Sequence, residues 1–346
     1  MYRVAILRDH KPESSEKWEL ACKKANIEYL LINMMRNDWL EKIRDFKPDF
    51  CVSRPVGDSL QNKFIFDEKL YVLTKSMNIP VYPGYEETVV YENKSALHWF
   101  LTSNGIASPN TFVSSDRNES ERFIENSSYP VVAKTLMGAA GSGVKILETQ
   151  KDAQRYIQNA FTTGIKRRFG PNRKTGSPKS WMVKAINSPG YFFKKLKEYK
   201  NRSEDVQKNI VLLQEYIPHD FEWRIVKIGE SYFGYKKLKI GSLASGSKQF
   251  EYGQVPEELL QFTHDLCKKF HFNFMAVDLF YSEKIYLNEL QTIFGHKSEA
   301  ICKVDGKPGR YRMDDGKWQF EEGMFNSNES YDLRLETALN LFNSSR

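Results

Sequence analysis

Apolar and polar positions change period several times along the chain, and each change marks an element. Residues 2–7, 28–32 and 49–53 are short apolar runs of strand length, while 14–25 and 39–45 carry apolar residues at helical spacing. Strand and helix in alternation predict a small parallel α/β unit. Pro80, Pro83 and Gly84 punctuate its end, and residues 88–103 read as a connecting helix that stops at Gly105. A strand near Thr111, a helix over 119–126, two strands around a glycine-rich turn and a helix over 151–160 then predict an α+β unit. A third unit is expected from residue 210: a strand over 210–217, a hairpin over 222–237 turning at Gly229, a helix over 257–270 and a second hairpin over 276–291. A helix over 331–341 closes the chain. The expected divisions are 1–87, 88–161, 162–208 and 209–346.

Composition adds limits. A chain of 346 residues exceeds one ordinary core, and 40% apolar content supplies several. Apolar runs of about four residues fall far short of the ~20 that cross a bilayer, and the first residues lack a secretory pattern, so a cytoplasmic protein is expected. Cys22, Cys51, Cys267 and Cys302 are scattered without metal-ligand spacing and read as buried reduced thiols. The net charge of +7 is uneven: residues 161–208 hold 13 Lys or Arg against Glu198, Glu204 and Asp205. Trp181, Tyr191, Phe192, Phe193 and Tyr199 interleave with these cations, so an anionic substrate or a polyanion could approach there. A solvated charged excursion is the plainer reading of the same stretch.

Two stretches carry chemistry. In residues 129–145 an apolar strand delivers Lys134 to a turn with Gly138, Gly141, Ser142 and Gly143, after which a second strand follows. Glycines let backbone N–H groups turn toward an anion, and the lysine adds fixed charge. Neither the Walker pattern nor G-x-G-x-x-G fits, because Val144 follows Gly143 and Ile occupies position 146. In residues 276–291 a two-residue turn at Glu283 and Lys284 would set Asp278 opposite Glu289, with Gln291 on the same face. Opposed carboxylates in a partly buried hairpin favour a divalent cation between them. Gln214, Glu215, Tyr216 and Ile217 end a β-rich run and could face an adenine edge; Glu222 could accept from a ribose. Arg224, Lys236 and Lys237 could reach phosphates, although exposed strand cations look the same.

Taken in order, Lys94, Lys134, the loop from Gly138 to Gly143, Gln214 to Ile217, Glu222-Trp223-Arg224, Asp278 and Glu289-Leu290-Gln291 resemble the ATP-grasp superfamily. The likeness runs from about residue 80 to 295 and is nearest the branch of glutathione synthetases and the ligases that add glutamate to a ribosomal protein. It implies an ATP-grasp fold of mixed α/β and α+β class behind an N-terminal pre-ATP-grasp parallel domain. It also implies an ATP-dependent carboxylate-amine ligase working through an acyl phosphate. By position, Lys94, Lys134, Gly141, Ser142 and Gly143 would hold phosphates, and Gln214 to Ile217 would form the adenine hinge. Glu222 would take the ribose side, and Arg224 and Lys237 the transferred phosphoryl group. Asp278, Glu289 and Gln291 would hold Mg²⁺, or Mn²⁺ in its place. The chain departs from the pattern at Gln291, where the family has Asn, and at Thr292 to His296. A kinase acting on a hydroxyl and a polyanion- or nucleic-acid-binding module are the rival readings. The partners expected are a carboxylate, a metabolite, sugar acid or peptide end, and an amine, with a homodimer as an option and neither membrane nor nucleic acid as a partner.

Overall fold

The computed structural model describes residues 2–138, 141–167, 190, 205–240, 243–244, 249–294 and 298–343. Strands Arg3–Arg8, Glu28–Asn33, Phe50–Ser53 and Val81–Tyr82 form a parallel sheet in the spatial order second, first, third, fourth. Alternation sorts its side chains: Val4, Ile6, Phe50 and Val52 enter one core, and Ala5, Leu7 and Cys51 another. The strand order reverses at the first strand, which makes the carboxyl ends of the first and third strands a topological switch point, where ligands commonly bind in such sheets. Arg8 and Arg54 stand there.

The helix expected over 88–103 is two helices, Tyr85–Val89 and Lys94–Ser103. Between them Glu92 takes φ +48°, and the Asn93 side chain caps the second helix by accepting from the Ala96 N–H at 3.2 Å. Helix Leu60–Tyr71 has no counterpart in the sequence reading. Its apolar residues point several ways, and Phe64 is 64% exposed, so no stripe announces it.

In the middle unit, strands Thr111–Ser114, Val211–Glu215, Val131–Lys134 and Val144–Leu147 lie side by side in that order, all antiparallel. Helices Arg117–Glu125 and Gln150–Phe161 cover one face, burying Ile124, Tyr156 and Ile157 with Val131, Ala133 and Leu213. The other face keeps Lys134, Leu212 and Gln214. The strand expected to open the third unit therefore belongs to this sheet, and the third unit starts at Phe221.

That unit is a large antiparallel sheet. Ile285–Gln291, Phe274–Tyr281, Phe221–Ile228 and Ser231–Ile240 are successive neighbours, and hairpin Lys307–Asp314 and Lys317–Glu322 extends it. The turn at Gly229 is a two-residue connection between Ile228 and Ser231, as the sequence suggests. Helix Glu257–Lys269 covers one face through Leu259 and Leu260, while helix Tyr331–Asn343 brings Tyr331 and Leu335 into the core shared with Val4, Phe50 and Tyr82. The N-terminal and large sheets thus share one apolar interior. Ile165–Lys166 pairs with Val206–Gln207 at the base of the basic stretch. Trp181, Tyr191, Phe192, Phe193 and Tyr199 lie outside the described residues. All four cysteines are free and buried. Among the described residues no helix is long and apolar enough to cross a membrane.

Candidate active site

The two chemistry-bearing stretches meet across the gap between the middle and large sheets. In the acidic hairpin Tyr281 pairs with Ile285, so the turn holds three residues instead of the expected two. A bulge at Asn288 restores the offset: Leu279 pairs with Leu287, and Asp278 with Glu289. Asp278 thus opposes Glu289 as expected, by a different route, and Gln291 beside Ala276 shares their face. The bulged Asn288 accepts from Lys134 Nζ at 3.0 Å, which ties the two sheets together.

Cross-strand neighbours complete the large-sheet face. Glu222 pairs with Lys237 and Arg224 with Asp278. Asp278 is fully buried, and its Oδ1 accepts from Arg224 Nε at 2.6 Å. Its Oδ2 accepts from Arg224 Nη2 and Lys237 Nζ, both at 2.7 Å. Lys237 also donates to Glu222 at 2.7 Å, and Arg224 to Gln291 Oε1 at 3.0 Å. Burial works against the Asp278 carboxylate, but Arg224 and Lys237 outweigh it and hold the pKa down to about 2. For Lys237 the same balance runs upward, with Asp278 and Glu222 overcoming burial. Glu222, expected to face a ribose, is here a buried member of this network.

From the other side come the lysines. Lys134 is half-buried with its charged end among packed groups, and that desolvation, aided by repulsion from Lys94, pulls its pKa down to about 8. Lys94 starts its helix, donates to the Gly138 carbonyl at 3.2 Å and lies 3.6 Å from Glu289. Lys94, Lys134, Gln214 and Asn288 line one small cavity between the sheets. The glycine loop is fastened at its base: Glu92 accepts the Gly138 N–H at 2.7 Å, and Thr135 donates its hydroxyl to the Met137 carbonyl at 2.6 Å. A Cβ on Gly143 would fall 1.8 Å from Thr135 Oγ1, so glycine is required there by close approach. Gly141, at φ +73°, needs glycine for its conformation, and Ser142 beside it is half-buried.

The expected hinge is divided. Gln214 faces the gap and donates to Thr111 Oγ1 at 2.8 Å, whereas Glu215 points to the outer surface and gives its N–H to the Asn110 carbonyl at 2.9 Å. The Tyr216 hydroxyl accepts from Lys239 at 2.8 Å, and the Ile217 carbonyl lies 2.7 Å from His219 Nδ1. Glu92 and Asn288 were not singled out in the sequence. Glu92 sits two residues before Lys94, a signal that could have found it; Asn288 gives none, because a bulge has no composition of its own.

The donors available to a cation are hard oxygens: the Asp278 and Glu289 carboxylates and the Gln291 amide. Glu289 has 22% of its side chain exposed and Lys94 as a distant partner, so its oxygens are the most open. Among the described residues no group of three or more His, Cys, Asp or Glu could hold a metal, and the donor set is two acids and an amide. This chemistry suits Mg²⁺, with Asp278 using the lone pairs that Arg224 and Lys237 leave.

Comparison with known proteins follows the same lines. Residues 91–167 match the family model described as RimK-like ATP-grasp domain. No curated protein matches the sequence. Among solved structures, a RimK domain ATP-grasp protein from Sphaerobacter thermophilus is similar at TM-score 0.52 and 15% identity, covering 84% of this chain and 92% of that one. D-alanine–D-alanine ligase from Bacillus anthracis superposes at 0.53 and 13% identity over 100% of both chains. The biotin carboxylase domain of the Hydrogenobacter thermophilus 2-oxoglutarate carboxylase, solved with MgADP and bicarbonate, reaches 0.54 at 13% identity, over 86% of this chain and 65% of that one.

Proposed function

From a chain that has the ATP-grasp fold, we propose an ATP-dependent ligase that joins a carboxylate to an amine. One observation carries the reading: Lys94 and Lys134 of one wall and Glu289, Asp278, Arg224 and Lys237 of the other meet in a single gap. A triphosphate there would find cations on both sides and oxygen ligands for its Mg²⁺. Bound Mg²⁺ would neutralise phosphate charge, held by Glu289, Gln291 and Asp278. Lys94 and Lys134 would hold the phosphates against the glycine loop. Arg224 and Lys237, whose positions are fixed by Asp278, would stabilise charge on the transferred phosphoryl group.

The substrate carboxylate oxygen would attack the γ-phosphorus as ADP departs; the amine would then attack the acyl carbon as phosphate departs, giving the amide and releasing a proton. The fold neighbours include a ligase and a carboxylase domain with MgADP, in keeping with this chemistry. The test is ADP release by purified protein with Mg²⁺ and ATP across a panel of carboxylates and amines. Trapping with hydroxylamine reports the acyl phosphate, and a phosphate ester would instead mark a kinase. Glu289→Ala should lower ADP release by about 100-fold or more while folding is retained. Unchanged turnover in that variant would remove Glu289 from the metal site, and no ADP release with any pair would overturn the ligase.

A further inference from the structure

Among the described residues, Arg8, Arg54 and Arg334 form no ion pair with an acidic side chain. Arg8 and Arg54 come directly after Leu7 and Ser53, the last paired residues of the first and third parallel strands, and alternation puts both on the face of Val4, Ile6 and Val52. They stand side by side at the carboxyl ends of the two strands, each half-buried. The Arg8 Nε is sealed from water and without a hydrogen-bond partner. Arg334 comes to the same face from helix Tyr331–Asn343. It is 3% exposed, its Nε donates to Ser330 at 3.1 Å, and its Nη2 is buried with no partner.

Arg334 lies in an aromatic box, with its guanidinium carbon 4.4 Å from the Phe274 and Tyr331 ring centres and 4.8 Å from Phe294. Aromatic faces position a cation without neutralising it. The carboxylate that bears on it, Glu329, is held by Lys17 at 3.4 Å. Burial, with the Arg54 charge contributing, lowers the Arg334 pKa. Three clustered cations, one fully buried, cost stability unless an anion joins them. Guanidinium forks match carboxylate and phosphate oxygens.

We propose that Arg8, Arg54 and Arg334 form a cradle for an anionic group of the substrate, a carboxylate or a phosphate, remote from the carboxylate that is activated. Phe274 and Asp278 lie on one face of one strand four residues apart, which is about 13 Å at the rise of an extended chain. The cradle therefore lies about a small substrate's length from Asp278. The reaction served rests on the ligase reading; anion binding does not, and is measured without turnover.

The experiment follows thermal unfolding of the full chain with ADP and Mg²⁺, titrated with citrate or with inorganic phosphate. A saturable rise in Tm is expected for one of them, and the more effective probe tells carboxylate from phosphate. Arg54→Met and Arg8→Met should weaken that response at least tenfold and leave the shift produced by ADP and Mg²⁺ as it is. Arg334→Met should abolish the response and raise the Tm of the free protein, because it removes an unpaired buried charge; a merely structural arginine in an aromatic box would lower it. An anion response in Arg54→Met equal to that of the parent, or no response to either probe in the parent, overturns the cradle. Absence of any ADP shift would instead count against the nucleotide site.

Discussion

Lys134 carries a charge that its surroundings resist. At a pKa of about 8 it is part neutral near neutrality's upper edge, and phosphates set against it would restore the proton. Binding of ATP should therefore take up about half a proton at pH 8, rising toward one at pH 9, and its Kd should rise as pH climbs above about 8, by up to tenfold per unit. Calorimetry in two buffers of different ionisation enthalpy measures the uptake. Lys134→Arg, which stays charged, should bind without that pH break. Lys237 is the opposite case: Asp278 and Glu222 hold its proton on, so it serves as a fixed positive charge over the whole working range. Lys237→Met should cut ADP release by about 100-fold or more, and should also loosen Asp278, whose buried charge would keep Arg224 alone.

Single elements decide how well these side chains are aimed. The acidic hairpin shows what periodicity can and cannot reveal. Its alternating pattern located both strands and placed Asp278 opposite Glu289, yet the three-residue turn and the bulge at Asn288 cancel in register, so the sequence offered no trace of either. The strand Val211–Glu215 was legible as a strand but not by partner, since its pairing with Val131–Lys134 spans some 80 residues and depends on tertiary packing. Helix Leu60–Tyr71 stayed hidden because it lacks a one-sided apolar stripe. The glycine loop was readable in composition, while the reason for Gly143 lies in the approach of Thr135. Gly143→Ala should destabilise the chain by about 1–3 kcal/mol in urea unfolding and weaken ADP binding, because the new methyl must push Thr135 aside.

At the scale of the molecule, Glu87 fastens one unit to the next. Fully buried, it accepts the N–H groups of Asn273 at 2.6 Å and Phe274 at 2.7 Å on the large sheet, and that of Gly84 at the end of the N-terminal unit. Burial pushes its pKa up to about 7 despite those donors. A carboxyl raised in the folded state favours folding fully below its unfolded value of about 4.5 and loses that advantage as pH rises through 7. Stability should thus decline by up to about 3 kcal/mol between pH 4.5 and 7, and Glu87→Gln should flatten that slope in denaturant titrations. The sequence marked Gly84 as a boundary but not Glu87 as the clamp, because its partners lie 186 and 187 positions away.

The short ladder of Ile165–Lys166 with Val206–Gln207 has a further meaning. Arg167 reaches from it to Asp205 and to the Asp58 carbonyl, each at 2.6 Å, and Gln207 receives the Leu136 N–H at 2.7 Å. The chain on either side of residues 168–204 is thus paired to itself and tied to Asp58 and Leu136 of the neighbouring units. Because the two flanking ends are already held together, a few glycines joining Arg167 to Asp205 should leave the rest of the chain folded, which thermal unfolding of the shortened protein would check.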